Sequence, residues 1–299
     1  MTALEGIPYD EYAKFKAHNF SKMKFFRVNP KAYRKNRDDP KRGTANQSLL
    51  RYQHAKTLEP HTVDADFVLW VGAVDATHNT KSQRTKLQTS AASTAYKRFE
   101  QWATAAGQSV VMAATPTQRA ALNQADTMAE IIRSHPDVAL ALSKGVAEIS
   151  ISGYDEELGH HIKCRTDILS QPWGLDLKDY GTTEPRRVGQ MAWKLGGVHQ
   201  LAYNRRCVRA HNAACDPVDL LPEPEQWAIV SIDGTTRDVV RRTIDPNDLA
   251  EADKEIRQWF AALDECESTG FWPGYGDGML DLPGFAFAPD IDDFIFGEE

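Results

Sequence analysis

The sequence predicts a single α/β domain with a helical preface. Three observations predict it. Residues 146–180 hold three strand-like runs, "VAEISIS", "HIKCRTDIL" and "GLDLKDY". A second set, "WAIVSI" and "TTRDVVRRTI", is joined through Asp233-Gly234, a favoured hairpin dipeptide. Around both lie segments of helical periodicity with start and stop signals of their own. No internal repeat or low-complexity linker divides the 299 residues. The expected organisation is an N-terminal helical segment (1–62), a core (63–285) and an acidic-aromatic tail (286–299).

Taken in order, residues 8–37 read as helical pieces separated by Pro30, with Phe15, Phe20, Met23, Phe26 and Tyr33 as apolar anchors. "DDPKRGTANQS" (38–48) reads as a polar loop, and "SLLRYQHAKTLEP" as a short helix stopped at Pro60. "DFVLWVGAV" is a buried-strand candidate, and "THNTKSQRTKLQTS" a basic stretch suited to contacting a ligand. A helix over 91–106 carries Tyr96, Phe99 and Trp102 along one side. The next opens at Thr115-Pro116-Thr117-Gln118, a capping box with proline at the first helical position. Pro136 interrupts it and Gly145 ends the segment. After the strand-rich stretch a long helix is expected over roughly 184–210. A last helix starts at Asp245-Pro246, carries Leu249, Ile256, Phe260 and Leu263, and closes at Gly270.

The formal net charge is −7, so no global basic field advertises nucleic acid. Locally, eleven basic residues lie between Lys14 and Arg42 against only Asp38 and Asp39, which suits either a solvated helix face or a phosphate-contacting arm. The N-terminus has neither a basic nor an apolar signal region, and "FVLWVGAV" is too short to span a bilayer, so a cytoplasmic protein without membrane attachment is expected. Free thiols are expected for Cys164, Cys207, Cys215 and Cys266, which form no CxxC pair. Cys207, His211 and Cys215 could line one helix face, but no fourth zinc ligand is suitably spaced.

Alternation along "HIKCRTDILSQPWGLDLKDYG" carries the chemistry. Ile162, Cys164, Thr166 and Ile168 share one face, and Lys163, Arg165 and Asp167 the other. After the short turn, Asp176 and Lys178 oppose Leu175 and Leu177, so Asp167 and Asp176 can face the same side of an antiparallel pair. Glu148, alternating with Ala147 and Ile149, can join them. Three converging carboxylates repel one another unless a cation holds them. Hard oxygen ligands suit Mg²⁺, or Mn²⁺ if a histidine joins. A lysine two residues after a ligand could orient a water, help deprotonate it, or stabilise charge developing on a phosphorane. The alternative is a strand pair whose charges simply face solvent.

Asp167 followed by Asp176-Leu177-Lys178, with Glu148 on the preceding strand, resembles the PD-(D/E)XK nuclease core. Gln200-x-x-Tyr203 resembles the helix motif of RecB-type nucleases. "LLRYQHAKTLEP", "SQRTKLQ", "FRVNPKAYRKN" and "ESTGFWPGYG" resemble, in order, segments of the exonuclease VIII (RecE-type) family. The resemblance implies a restriction-endonuclease-like core with a central mixed sheet flanked by helices. It implies a Mg²⁺-dependent exonuclease that degrades one strand of double-stranded DNA from an end. The site it implies has Asp167, Asp176, Lys178 and Glu148 as catalytic residues. His54, Asp167, Asp176 and the Leu177 carbonyl would hold the metal, and Gln200 and Tyr203 would contact DNA. Apart from the resemblance, Arg84, Lys86, Arg205 and Arg206 could contact DNA by neutralising phosphates, although exposed basic residues are also simply common. The resemblance also implies a homo-oligomeric ring, trimer or tetramer, and hand-over of the exposed strand to a RecT-type annealing protein.

Other readings stay open. A structure-selective endonuclease could use the same core, and a catalytically silent DNA-binding scaffold is the reading from another class. Iron–sulfur relatives of the Cas4 kind need four suitably spaced cysteines, which this chain lacks. Gln200 and Tyr203, at i and i+3, could equally be ordinary packing residues. His160-His161 reads as turn filler. The tail "APDIDDFIFGEE" could bind a partner protein or lie against its own domain.

Overall fold

The computed structural model describes residues 2–4, 12, 14–38, 45–71 and 94–275. Among them, a seven-stranded mixed sheet holds β1 (Thr2–Leu4), β2 (His18–Asn19), β5 (Val146–Asp155), β6 (His160–Leu169), β7 (Trp173–Asp179), β8 (Gln226–Asp233) and β9 (Asp238–Thr243). The spatial order is β1-β5-β6-β7-β8-β9, with β2 pairing parallel to β6. A separate parallel pair holds β3 (Phe67–Trp70) and β4 (Ser109–Met112). The helices are α1 (Phe20–Met23), α2 (Pro30–Asp38), α3 (Ala45–Leu58), α4 (Val63–Asp66), α5 (Thr94–Ala105), α6 (Pro116–Ser134), α7 (Pro136–Lys144), α8 (Pro185–Lys194), α9 (Gly197–Asn212) and α10 (Pro246–Thr269).

β5 pairs antiparallel with β6, and β6 with β7, whereas β7 and β8 are parallel. A parallel pair needs a long crossover, and α8 and α9 supply it. On one side of the sheet α8, α9, α10 and the N-terminal anchors Phe20, Met23, Phe26 and Tyr33 pack with Ile149, Ile151, Ile162, Cys164 and Ile229. On the other, Met128 and Ile132 of α6 and Val138 of α7 pack with Ile168, Leu175, Leu177 and Val230. Tyr52 of α3 joins Phe67, Val111 and Leu122 in a smaller cluster. Helix boundaries follow local chemistry. Thr115 and Gln118 close the expected capping box, Asp245 accepts from the Asn247 N–H, and Gly270 ends α10 at φ 72°.

The fold departs from the sequence reading in several places. Phe20 to Arg27 and α2 are helical as expected, but the N-terminal segment also adds β1 and β2 to the sheet. Helix α3 already begins at Ala45, inside the stretch read as a loop. β3 lies outside the main sheet, and with Phe67 and Trp70 buried but Leu69 exposed it is half-buried rather than the buried strand expected. β4 went unrecognised because four residues give little periodicity. The hairpin between β8 and β9 has four turn residues, with Asp233 accepting from the Thr235 and Thr236 N–H groups and Arg237 at φ 63°, rather than a two-residue Asp-Gly turn. The helix expected over 184–210 breaks at Gly196, whose φ of 83° is left-handed, a conformation an α-helix cannot continue through.

The simple alternation of β5 and β6 also fails at one point. Cys164 packs in the first cluster and Ile168 in the second, and across the ladder Ile149 packs in the first and Ala147 against the second. Two residues apart on a regular strand should share a face. Between them Glu148 sits at φ 51°. That left-handed residue turns the strand over, and the ladder records no pair at Glu148 and Asp167 although the register on either side is continuous. Left-handed backbone on a residue other than glycine costs on the order of 1 kcal/mol or more and persists only where the surroundings impose it.

Candidate metal centre

The switch point is where the acidic residues meet. Glu148 comes from β5, Asp167 from β6, and His54 from α3. His54 Nδ1 lies 2.9 Å from Glu148 Oε1, and Nε2 lies 3.2 Å from Asp167 Oδ2. Donor atoms of the three residues fall within 4.8 Å of one another. Glu148 is held from behind: Arg165 Nε is 2.7 Å from its Oε2 and also donates to its carbonyl at 3.2 Å. Asp167 Oδ2 accepts the Leu177 backbone N–H at 2.7 Å. The registered pair Ile168–Leu175 places Asp167 opposite Asp176, as the strand reading expected. The registered pairs of β6 and β7 are Ile168–Leu175 and Leu169–Gly174, and beyond them the Asp167 side chain takes up the Leu177 N–H.

Asp176 is fully buried. Lys178 Nζ lies 2.7 Å from its Oδ2, and Gln200 of α9 donates to its Oδ1 at 2.9 Å. Helix α9 reaches it because Gly196 and Gly197 let the chain pass close to Tyr180: a Cβ on Gly197 would stand 2.6 Å from the Tyr180 hydroxyl. That hydroxyl is buried and has no hydrogen-bond partner among the described residues.

These contacts set the charge states. Burial disfavours the His54 imidazolium, but Asp167 and Glu148 outweigh it and raise the pKa well above the ordinary value. Both ring nitrogens face carboxylates, which needs both to carry protons. Burial pushes Asp167 up too, yet His54, Lys178 and the Leu177 N–H hold it below its usual value. Asp176 shows the opposite balance. Burial dominates over Lys178 and pushes its carboxyl up to about 6. Lys178 is disfavoured by burial but raised overall by Asp176 and Asp167, so it stays an ammonium. Burial raises the Tyr180 hydroxyl to about 12, keeping it a donor.

The donor set fits a hard divalent cation. One imidazole and two carboxylates already converge, and the proton on His54 stands where such a cation's charge would be required. Asp176 adjoins this set with its oxygens engaged by Lys178 and Gln200; of the expected ligands, His54 and Asp167 lie in the cluster, together with Glu148.

Several expected roles change. Lys178 is not a lysine on an open face but the partner of a buried carboxylate. Gln200 is committed to Asp176 rather than presented to DNA. Tyr203 is wholly buried, its hydroxyl donating to the His18 carbonyl at 2.7 Å, so it is a packing residue and has no surface for DNA. Arg206 is also buried, paired with Asp155, Glu157 and Asp253. Arg205 is half-buried on α9, and the burial lowers its pKa. Arg84, Lys86 and the tail lie outside the described residues. His160 pairs with Asp264 at 2.8 Å. Among the described residues, no cluster of potential metal ligands includes Cys207, His211 or Cys215. Two residues beyond the expected set belong to the site: Arg165, which the alternation already placed beside Asp167, and Tyr180, which carried no sequence signal.

No protein-family model matches the chain, and no curated protein matches it in sequence. Among solved structures, the fold is similar to that of a putative exonuclease from Eubacterium rectale, with a TM-score of 0.56 and 12% identity over 97% of this chain and 100% of that chain. At that identity the likeness bears on fold alone: a mixed α/β architecture with a central sheet flanked by helices.

Proposed function

We propose that the chain is a metal-dependent nuclease, and more narrowly a Mg²⁺-dependent exonuclease that degrades one strand of linear double-stranded DNA from an end. The observation that carries this is the convergence of His54, Glu148 and Asp167 beside the Asp176–Lys178 pair. A cation bound by His54, Glu148 and Asp167, with Asp176 alongside, would supply Lewis-acid charge at a phosphoryl oxygen and acidify water. Lys178, kept charged by Asp176, is suited to orient the attacking water and to oppose negative charge building on the phosphorane. An ammonium with a raised pKa is poorly suited to act as the base, which narrows the three roles that the spacing alone allowed. Gln200 fixes the rotamer of Asp176, and Arg165 that of Glu148. The structural similarity to an exonuclease and the ordered segment resemblance support DNA ends as substrate. A ring-shaped oligomer that passes its product strand to a RecT-type annealing protein in the cytoplasm fits the same reading.

The test is digestion of linear and closed-circular duplex DNA with Mg²⁺, each strand end labelled separately. Loss of linear DNA alone, from one labelled end, is expected. Cutting of the circle would make the chain an endonuclease on the same core, and no cutting of either would favour a binding scaffold.

A further inference from the structure

Residues 276–299 follow the described residues, and the proposed chemistry leaves them unused. They hold seven aspartates and glutamates and no lysine or arginine, which is the whole of the chain's net charge of −7. Residues 1–275 are therefore balanced overall, and their cations are concentrated between Lys14 and Arg42.

The chain leads from α10 onto that basic stretch, because the segment 271–275 is laid across α2. Trp272 stacks on Tyr33, with ring centroids 6.1 Å apart and planes inclined by 14°. The Arg34 and Arg37 guanidinium groups stand 5.6 and 5.0 Å from the Trp272 ring, close enough for cation–π attraction. The Lys31 N–H donates to the Pro273 carbonyl at 3.0 Å. A Cβ on Gly274 would stand 3.4 Å from Lys31 Cδ. The acidic segment thus begins beside α2.

Lys31, Arg34 and Lys35 stand at i, i+3 and i+4 of that helix, so they share a face, and all three are exposed. Arg34 lies 3.7 Å from Asp38, and Arg37 is shared between Asp38 and Glu267. Among the described residues no carboxylate pairs with Lys31 or Lys35. Val28, just ahead of α2, and Tyr275 are exposed as well, and offer apolar surface to Phe285, Phe287, Phe294 and Phe296. Reach is no obstacle. A coil the length of residues 276–299 spans about 27 Å on average, whereas α2 measures about 13 Å. Tethering keeps the acids at a high local concentration, so several weak surface pairs suffice to seat them.

We infer that residues 276–299 fold back on the exposed face of α2, and that their acids mask Lys31, Arg34 and Lys35 from nucleic acid. The seating is independent of the nuclease reading; the masking rests on it.

Carbodiimide cross-linking of the full chain in EDTA, followed by peptide mass spectrometry, tests both. Isotope-light and isotope-heavy copies are mixed, so that links within one chain are told from links between two. Expected are links within one chain from the tail carboxylates to Lys31 and Lys35. None is expected to Lys254, an exposed lysine of α10 already paired with Glu251. Lys35→Gln should lower the Lys31 links about two- to fivefold, the worth of one exposed ion pair. Salt at about 1 M, where the screening length is about 3 Å, should remove most of them. Links to Lys254 as frequent as those to Lys31, links only between copies, or no links from the tail would each overturn the seating. A saturating linear duplex should abolish the Lys31 links, and links unchanged with DNA bound would overturn the masking. If fluorescence anisotropy shows that the chain binds no DNA, the nuclease reading and the masking fail together, and the cross-links still decide the seating.

Discussion

Replacing Lys178 by Met removes the charge and keeps most of the aliphatic stem, so the response isolates the ion pair. At 2.7 Å and an effective dielectric of about 20, the Coulomb attraction between Nζ and Asp176 Oδ2 comes to about 6 kcal/mol, an upper bound before desolvation. Breaking a buried pair typically costs about 3–5 kcal/mol because the remaining charge is stranded. Here Asp176 has an escape: it can take up a proton. With Lys178 present its pKa is about 6, and without that neighbour it must rise further. A carboxyl whose folded pKa is raised stabilises the fold below its unfolded value, near 3.9, and loses that contribution as pH climbs to the folded value. In the wild type the loss is complete just above pH 6; in Lys178→Met it continues, at about 1.4 kcal/mol per pH unit. The destabilisation of the variant should therefore grow by roughly 2–3 kcal/mol between pH 6 and pH 8. Urea denaturation of both proteins in EDTA at pH 6, 7 and 8 measures it. A penalty that does not change with pH would show that Asp176 is not the stranded group. DNA cleavage by the variant should fall at least about a hundredfold.

Asp167→Asn should destabilise the metal-free protein by about 1–3 kcal/mol, because the carboxylate is held below its normal pKa by His54 and Leu177 rather than strained by its acidic neighbours. Urea denaturation in EDTA at pH 7 checks the sign, and a gain in stability would mean that carboxylate repulsion dominates after all. Gln200→Ala should strip Asp176 Oδ1 of its donor, raise that carboxyl above about 6 and shift the acid limb of the cleavage profile to higher pH. An unmoved pH profile would reduce Gln200 to a packing residue. Gly197→Ala should cost about 1–3 kcal/mol by forcing a methyl to within 2.6 Å of the Tyr180 hydroxyl. Tyr180→Phe in the same chain should recover part of that loss in thermal denaturation, and no recovery would place the clash elsewhere.

Short-range signals decided what could be read from the sequence. The strands around Asp167 and Asp176 were legible because apolar and polar residue types alternate along the sequence of each, and the turn between them is short enough to fix their pairing. The caps of α6 and α10 were legible for the same local reason. Where one residue overrides its neighbours the reading failed. Glu148 at φ 51° reverses the alternation of β5, and no residue type in "VAEISIS" announces it. A single helix was expected straight through Gly196-Gly197, and the left-handed turn at Gly196 that ends it follows from the close packing around this pair. The motif pair at Gln200 and Tyr203 looked alike in sequence, yet depth separates them: one turn of helix carries Tyr203 into the core while Gln200 stays level with Asp176. His54 could be named only through the resemblance, because its meeting with residues from β5 and β6 is a long-range product of α3 packing over the switch point.

The central claim is that His54, Glu148 and Asp167 form a cation site. Calorimetric titration of Mn²⁺ and Mg²⁺ into metal-free protein at pH 7, in two buffers of different ionisation enthalpy, tests it most directly. The predicted result is binding that releases about one proton, as the His54 imidazolium gives up the nitrogen that coordinates, and that is lost in Asp167→Asn. Absence of metal uptake by the wild type, or equal uptake by Asp167→Asn, would contradict it.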